Sequence, residues 1–206
     1  MGSVVPDGYR LERGLLWPAT DVGAAAVLFS QAGDIQGVCR YVKKFDVVVQ
    51  AGGNCGLWPR ELGKRFSTVY TFEPDPVNFR CLCANSPDEH IFKFNAALGY
   101  ERGPVSLNLR PDNVGAHTVS GTGNIPVMRI DDLALRECDL IYLDVEGFEE
   151  RVLLGAAETL AVHRPVVVVE DKGAGGSVKG ELLQWLGAKG YKAVDRFNHD
   201  FVLVAA

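Results

Sequence analysis

From residue 45 onward, short runs of apolar, β-branched residues alternate with stretches whose apolar positions recur at helical spacing, the pattern of a parallel sheet wound with crossover helices. Residues 46–50 (Asp-Val-Val-Val-Gln) end at a glycine turn and predict a strand buried on both faces. A helix over 57–66, a strand over 68–72 and a helix over 75–84 follow, with Pro76 in the first helical turn, where a missing N–H costs little. Residues 90–95 predict the third strand. The pattern then lapses over 99–128, where Pro104, Pro111, Pro126 and several glycines interrupt short alternating pieces such as 105–109; this predicts an insertion of loops and a small hairpin above the sheet.

Regularity resumes with a strand at 139–143, a helix at 149–160 and a β-branched strand at 165–170. A helix over 178–189 stops at Gly190, and strands at 191–195 and 201–204 flank the turn Asn198-His199-Asp200, which predicts an antiparallel pair. Ahead of the first strand, residues 21–29 and 34–42 read as two helices, opened by Asp21 and Asp34 as capping residues and placed within a 1–44 helical cover. The expected architecture is α/β and doubly wound (Rossmann-like). It has five strand–helix units, a seven-stranded, mostly parallel sheet with an antiparallel last strand, and a single domain over 1–206.

Composition changes little in this picture and excludes some partners. At 206 residues, 47% hydrophobic and 23% charged, the chain has an ordinary globular balance. A net charge of −5 without a basic run argues against non-specific nucleic-acid binding. The longest early apolar stretch, residues 22–29, is too short to span a bilayer, and residues 1–10 lack the features of a signal peptide. Cys39, Cys55, Cys81, Cys83 and Cys138 have neither disulfide-scaffold nor zinc spacing, so free thiols in a reducing, cytoplasmic setting are expected.

The turn Gln50-Ala51-Gly52-Gly53-Asn54-Cys55-Gly56, between a strand and a helix, has the geometry of a nucleoside-binding loop. Gly52 and Gly56 allow close backbone approach, and Asn54 tolerates left-handed dihedrals. A plain tight turn explains the glycines equally well. Glu73 adds discrimination: it ends the second strand, roughly twenty residues on, where a carboxylate can accept both ribose hydroxyls.

Together these residues resemble the FkbM-type methyltransferase family. The glycine turn is similar to its first motif, and Phe72-Glu73-Pro74-Asp75-Pro76-Val77-Asn78-Phe79 matches its Phe-Glu-Pro-x-Pro-x-Asn-Phe segment. Ala97-Leu98-Gly99, Asp144-Val145-Glu146-Gly147-Phe148-Glu149 with Leu153-x-Gly155-Ala156, and Arg164-Pro165 through Glu170 follow in family order. The resemblance implies a class I methyltransferase fold with S-adenosyl-L-methionine as cofactor. It implies a cofactor site on Gln50, Ala51, Gly52, Gly53, Asn54 and Gly56, with Glu73 and Pro74, and with Asp144 beyond the later strand. One departure stands out: the family usually carries an acid at the position of Gln50. There it sits near the cofactor's ammonium group, so either cofactor affinity is modestly weakened or another acid, Asp144 first, holds the ammonium instead.

Asp144, Glu146 and Glu170 lie at or beyond carboxyl ends of predicted strands, where open α/β sheets bind ligands. Methyl transfer needs alignment and removal of the acceptor's proton, so Asp144 or Glu170 is expected to orient or deprotonate a hydroxyl. Glu149 suits a helix N-terminus. Three acids could hold a divalent cation, but nothing in the sequence demands one, and no metal is assigned. His117, among small residues of the insertion, is a further general-base candidate, or else a surface histidine. His90, His163 and His199 look incidental, and Lys172 could face the same opening. Trp58 either covers the cofactor or packs the first helix. Asn95, with Ala96 and Ala97 leaving room for a ring, either reads adenine or is a turn residue.

The expectation is methyl transfer to an acceptor oxygen of a small molecule or sugar, with no nucleic-acid or membrane partner. The alternatives are a non-catalytic cofactor-binding module, which Gln50 alone suggests, and a nicotinamide-dependent oxidoreductase, against which the absence of Gly-x-Gly-x-x-Gly spacing counts.

Overall fold

The computed structural model describes residues 5–110, 112–170, 178–198 and 200–206. The predicted strands pair into one seven-stranded sheet. β3 (Val47–Ala51), β4 (Thr68–Phe72), β5 (Ile91–Phe94), β9 (Leu140–Leu143) and β10 (Val166–Glu170) run parallel, while β12 (Asp200–Ala205) lies antiparallel to β10 and to the edge strand β11 (Tyr191–Phe197). The spatial order β11-β12-β10-β9-β3-β4-β5 reverses direction beside β3, the switch point at which such sheets open a crevice.

The β-branched runs are buried on both faces, as their composition predicts. Val48, Leu140, Val168 and Val202 pack into one apolar layer, and Val49, Ile141, Val167 and Leu203 into the other. The first layer is closed by α1 (Ala24–Gln31), α2 (Asp34–Val38) and α3 (Leu57–Gly63). The second is closed by α5 (Glu149–Leu154), α6 (Ala157–His163) and α7 (Val178–Ala188). α4 (Pro76–Asn85) starts as predicted: Asp75 caps it by accepting the Val77 N–H at 2.7 Å, and Pro76 occupies its first turn.

Three features differ from expectation. The helix predicted over 149–160 is broken into α5 and α6 at Gly155, where a Cβ would stand 2.2 Å from the Gly99 carbonyl oxygen, so the chain packs backbone to backbone and turns. Among the described residues the connection from β5 to β9 carries no α-helix, which leaves four strand–helix units there instead of five. In its place β6 (Ala97–Leu98), β7 (Pro104–Asn108) and β8 (Thr118–Met128) form a three-stranded sheet in the order β6-β8-β7, followed by a 3-10 turn over Ile130–Leu133. The N-terminal cover also contains a hairpin, β1 (Tyr9–Glu12) and β2 (Leu15–Pro18), ahead of its two helices.

Asp21 welds this cover together. Its buried carboxylate accepts Trp17 Nε1–H at 2.9 Å, the first helical N–H groups of α1 (Ala24 at 3.2 Å, Ala25 at 3.1 Å) and the Val114 N–H at 3.4 Å. It therefore serves α1 from two residues before the cap position, whereas Asp34 is already the first residue of α2 and caps nothing by side chain. Burial opposes ionisation of Asp21, but the donors outweigh it and hold the pKa below 3.8. A depressed acid adds stability above its unfolded pKa that is lost as pH falls through its folded one. Asp21→Asn should therefore lower the unfolding free energy by about 1.5–3 kcal/mol near neutrality. In urea titrations the gap should close in acid; a gap independent of pH would show that the charge is not what the donors hold.

Candidate functional site

The parallel strands deliver Ala51 and Gly52, Glu73, Ala96, Asp144 and Glu170 to one edge of the sheet, and all six line a cavity of 480 Å³. That volume lies within the usual range for small-molecule sites, about 300–1,000 Å³. Ala24, Val27, Leu28 and Gln31 of α1 form one wall, residues 113–117 of the insertion another, and Phe148 a third.

Glu73 sits at the tip of β4, buried, with Oε2 accepting the Asn54 N–H at 2.6 Å and Oε1 the Asp75 N–H at 2.8 Å. Burial pushes its carboxyl up to about 7 against the pull of these two donors. A carboxylate offers about four lone-pair positions, so two remain for hydroxyl donors from the cavity.

The glycine turn is tight for internal reasons. A Cβ on Gly52, at φ +81°, would fall 1.9 Å from the Asp144 carbonyl oxygen, and one on Gly56 would press on Leu82 Cα at 3.1 Å. The glycines therefore let β3 and α3 approach β9 and α4, which is what the plain-turn reading of them requires. Gly52 and Asn54 still line the cavity, while Gly53 and Gly56 do not.

The expected role of Gln50 needs correction. It is fully buried away from the cavity, accepting Thr71 Oγ1–H at 2.5 Å and donating Nε2–H to the Ala51 carbonyl at 3.0 Å. Both ends of the amide are used between β3 and β4, so its difference from the family's acid does not bear on a ligand ammonium.

Asp144, Glu146 and Glu170 converge as predicted, with one oxygen from each within 4.8 Å of the others. The backbone supports this: Asp144 N–H donates to the Ala51 carbonyl at 3.1 Å, and Glu146 and Gly147 both take positive φ (+53° and +87°), turning the chain up from β9 before α5. Glu149 opens α5, buried and accepting the Gly147 N–H at 3.2 Å, which is the structural role expected of it. Behind the cluster, Asp200 accepts the Tyr142 hydroxyl at 2.8 Å; burial and the Asp144 charge push its carboxyl up to about 7.

His117 lines the cavity, but its Nδ1 pairs with Asp75 Oδ2 at 2.8 Å and its Nε2 lies 3.3 Å from the Arg110 carbonyl. Burial disfavours the imidazolium, yet the Asp75 hydrogen bond and charge outweigh it, and the His117 pKa is raised above 6.5. With Nδ1 against the Asp75 carboxylate and Nε2 near the Arg110 carbonyl, His117 is a fastener for the insertion, and the general-base reading loses its geometric support.

Among the other sequence candidates, Pro74, Ala96 and Ala97 line the cavity. Trp58, in the first turn of α3, is buried with its ring 6.0 Å from that of Tyr142 and does not line the cavity. Asn95 also lies off the cavity: its amide donates to the Glu73 and Pro74 carbonyls at 2.9 and 3.1 Å, which fixes the turn after β4 and replaces the adenine-reading role. His90 and His163 bond to backbone carbonyls of Gly63 and Leu135, and Lys172 and His199 lie outside the described residues. Sequence reasoning missed Asn78, which lines the cavity; its place in the Phe-Glu-Pro-x-Pro-x-Asn-Phe segment was the available signal.

Residues 46–193 match the Methyltransferase FkbM domain, a span that takes in β3 through most of the sheet and every motif that reaches the cavity. The chain belongs to the FkbM methyltransferase family. A structure of an FkbM methyltransferase from Methylobacillus flagellatus is similar at 18% identity and TM-score 0.49, covering 77% of this chain and 42% of that one, so the chain spans less than half its length. A precorrin-6y C5,15-methyltransferase from Geobacter metallireducens is similar at 9% identity and TM-score 0.51, covering 98% of this chain and 96% of that one. A TehB-like SAM-dependent methyltransferase from Corynebacterium glutamicum is similar at 16% identity and TM-score 0.47, covering 84% of each chain. No curated protein matches the chain. With its seven-stranded order, the FkbM domain has the class I methyltransferase fold, and among the described residues no helix is long and apolar enough to cross a membrane.

Two outcomes follow from the polar contacts of this FkbM domain. Gln50→Asp places a charge where both amide ends were bonded, so the variant should lose about 1–3 kcal/mol in chemical denaturation without binding S-adenosylhomocysteine more tightly. Tighter binding in calorimetry would return residue 50 to the ligand site. His117→Gln should unfold about 1.5–3 kcal/mol more easily than the native sequence at pH 6. A raised histidine adds stability that is full below its unfolded pKa and lost as pH rises through its folded one, so the gap should narrow progressively above pH 6.5. A gap constant across pH would contradict the ion pair.

Proposed function

We propose that the cavity binds S-adenosylmethionine and that the protein transfers its methyl group to an oxygen of a small hydroxylated acceptor. The observation that carries this reading is the position of Glu73, buried at the tip of β4 yet facing the cavity beside the glycine turn, opposite the Asp144–Glu170 acids. The residues present fit the cofactor: Glu73 keeps acceptor capacity for two ribose hydroxyls, and the small side chains of Ala96 and Ala97 leave a shelf for a flat base. When bound, the cofactor supplies a methyl group on a sulfonium centre, so the protein's own tasks are alignment and management of one proton. Asp144 and Glu170 line the far side of the cavity and are the groups that orient the acceptor hydroxyl or take its proton.

The alternatives weaken. The non-catalytic reading rested on Gln50, which has a structural job of its own, and the family assignment leaves the nicotinamide reading without support. Five free thiols favour a reducing, cytoplasmic setting. Sugars and secondary metabolites are the acceptors that the family resemblance suggests.

In thermal unfolding, S-adenosylmethionine at about one hundred times its Kd should add about 2.7 kcal/mol of stability, a clear rise in Tm, while NAD adds none. An ionised acid accepts hydroxyl donors more strongly than a protonated one, so affinity should increase from pH 6 to pH 8 as Glu73, poised at about 7, loses its proton. Glu73→Gln should bind more weakly and lose that pH dependence. Stabilisation by NAD alone would overturn the assignment.

A further inference from the structure

Two asparagines from separate motifs converge on one carbonyl oxygen. Asn54 of the glycine turn and Asn78 of α4 each donate a side-chain N–H to the Val114 carbonyl at 2.9 Å. Val114 belongs to the insertion, its side chain is buried, and its own N–H reaches Asp21 Oδ1 at 3.4 Å. A further backbone bond, Val22 N–H to the Asp112 carbonyl at 3.1 Å, joins the same segment to the N-terminal cover. Residues 113–117 are thereby held over the cavity by contacts that start from the nucleoside-binding side of it.

Asn54 is itself held in a specific state. It takes φ +44°, a region open to few residues besides glycine, asparagine and aspartate. Glu73 fixes its N–H at 2.6 Å, and its Oδ1 accepts the Cys55 N–H at 2.6 Å. Asn78 is 1% exposed, so its amide needs the Val114 carbonyl to avoid an unmet buried donor. A continuous line therefore runs from the Glu73 carboxylate through Asn54 to Val114.

We propose that Asn54 and Asn78 are positioning residues that couple occupancy of the cofactor half of the cavity to the placement of residues 112–118 over its acceptor half. The proposal rests on the reading of the cavity as an S-adenosylmethionine site. A ligand whose hydroxyls engage Glu73 fixes the group that fixes Asn54, which tightens the segment that shapes the acceptor wall. By thermodynamic reciprocity, an ordered segment also favours the ligand. The cofactor thus builds part of the acceptor pocket, and acceptor binding follows cofactor binding.

Hydrogen exchange of a peptide covering 112–118, read by mass spectrometry with and without saturating S-adenosylhomocysteine, tests this. In the native sequence the ligand should slow exchange of the segment about fivefold, the effect of one net hydrogen bond. Asn78→Ala and Asn54→Asp should each still bind the ligand in calorimetry but lose that protection. Asn54→Asp keeps a side chain suited to positive φ and able to accept from Cys55, so it tests the lost donor even if Asn78→Ala folds poorly. Full ligand protection in both asparagine variants, or none in the native sequence at saturation, overturns the coupling. Failure of the native protein to bind S-adenosylhomocysteine instead overturns the reading of the cavity, and the coupling with it.

Discussion

The hydrogen bonds from Asn54 N–H and Asp75 N–H to the Glu73 carboxylate are the constraint on which the rest of the site depends. One buried acid at the end of β4 fixes the turn after β3 and the start of α4 together, the two backbone segments that bound the cavity from that side. The same burial raises its pKa to about 7, so the group that organises the loop is also poised to change charge near neutrality.

Around this centre the polar groups divide the labour. Asp21, Asp75, Asn54, Asn78 and His117 hold the N-terminal cover and the insertion against the cavity, and each is committed to named partners within the protein. Asp144, Glu146 and Glu170 stand on the other side, at the ends of β9 and β10, next to Asp200 and Glu149, whose carboxyls burial and the Asp144 charge push up. Asp144, Glu146 and Glu170 share the cavity lining with the apolar side chains of Ala24, Val27 and Leu28.

Much of this was legible in the sequence because it rests on local rules. The Val-rich runs at 47–49 and 166–169 could be read as strands buried on both faces, and Asp75-Pro76 as a helix start, since burial and capping depend on residue type and spacing. The order of Glu73, Asp144 and Glu170 along alternating units placed them on one sheet edge. Residues whose role depends on a distant partner were not legible. Gln50 faces Thr71 and His117 faces Asp75, and neither pairing leaves a periodic trace in the chain. The β1–β2 hairpin was missed because its strands are four residues each, too short to establish alternation; its signal was the pair Arg13-Gly14, both at positive φ. The break at Gly155 depends on contact with Gly99, more than fifty positions away.

The most direct measurement is a crystal structure with S-adenosylhomocysteine bound. The account predicts both ribose hydroxyls within hydrogen-bonding distance of the Glu73 carboxylate, the base against Ala96 and Ala97, and the sulfur directed towards Asp144 and Glu170. A ligand seated outside the cavity, or a ribose turned away from Glu73, would contradict it.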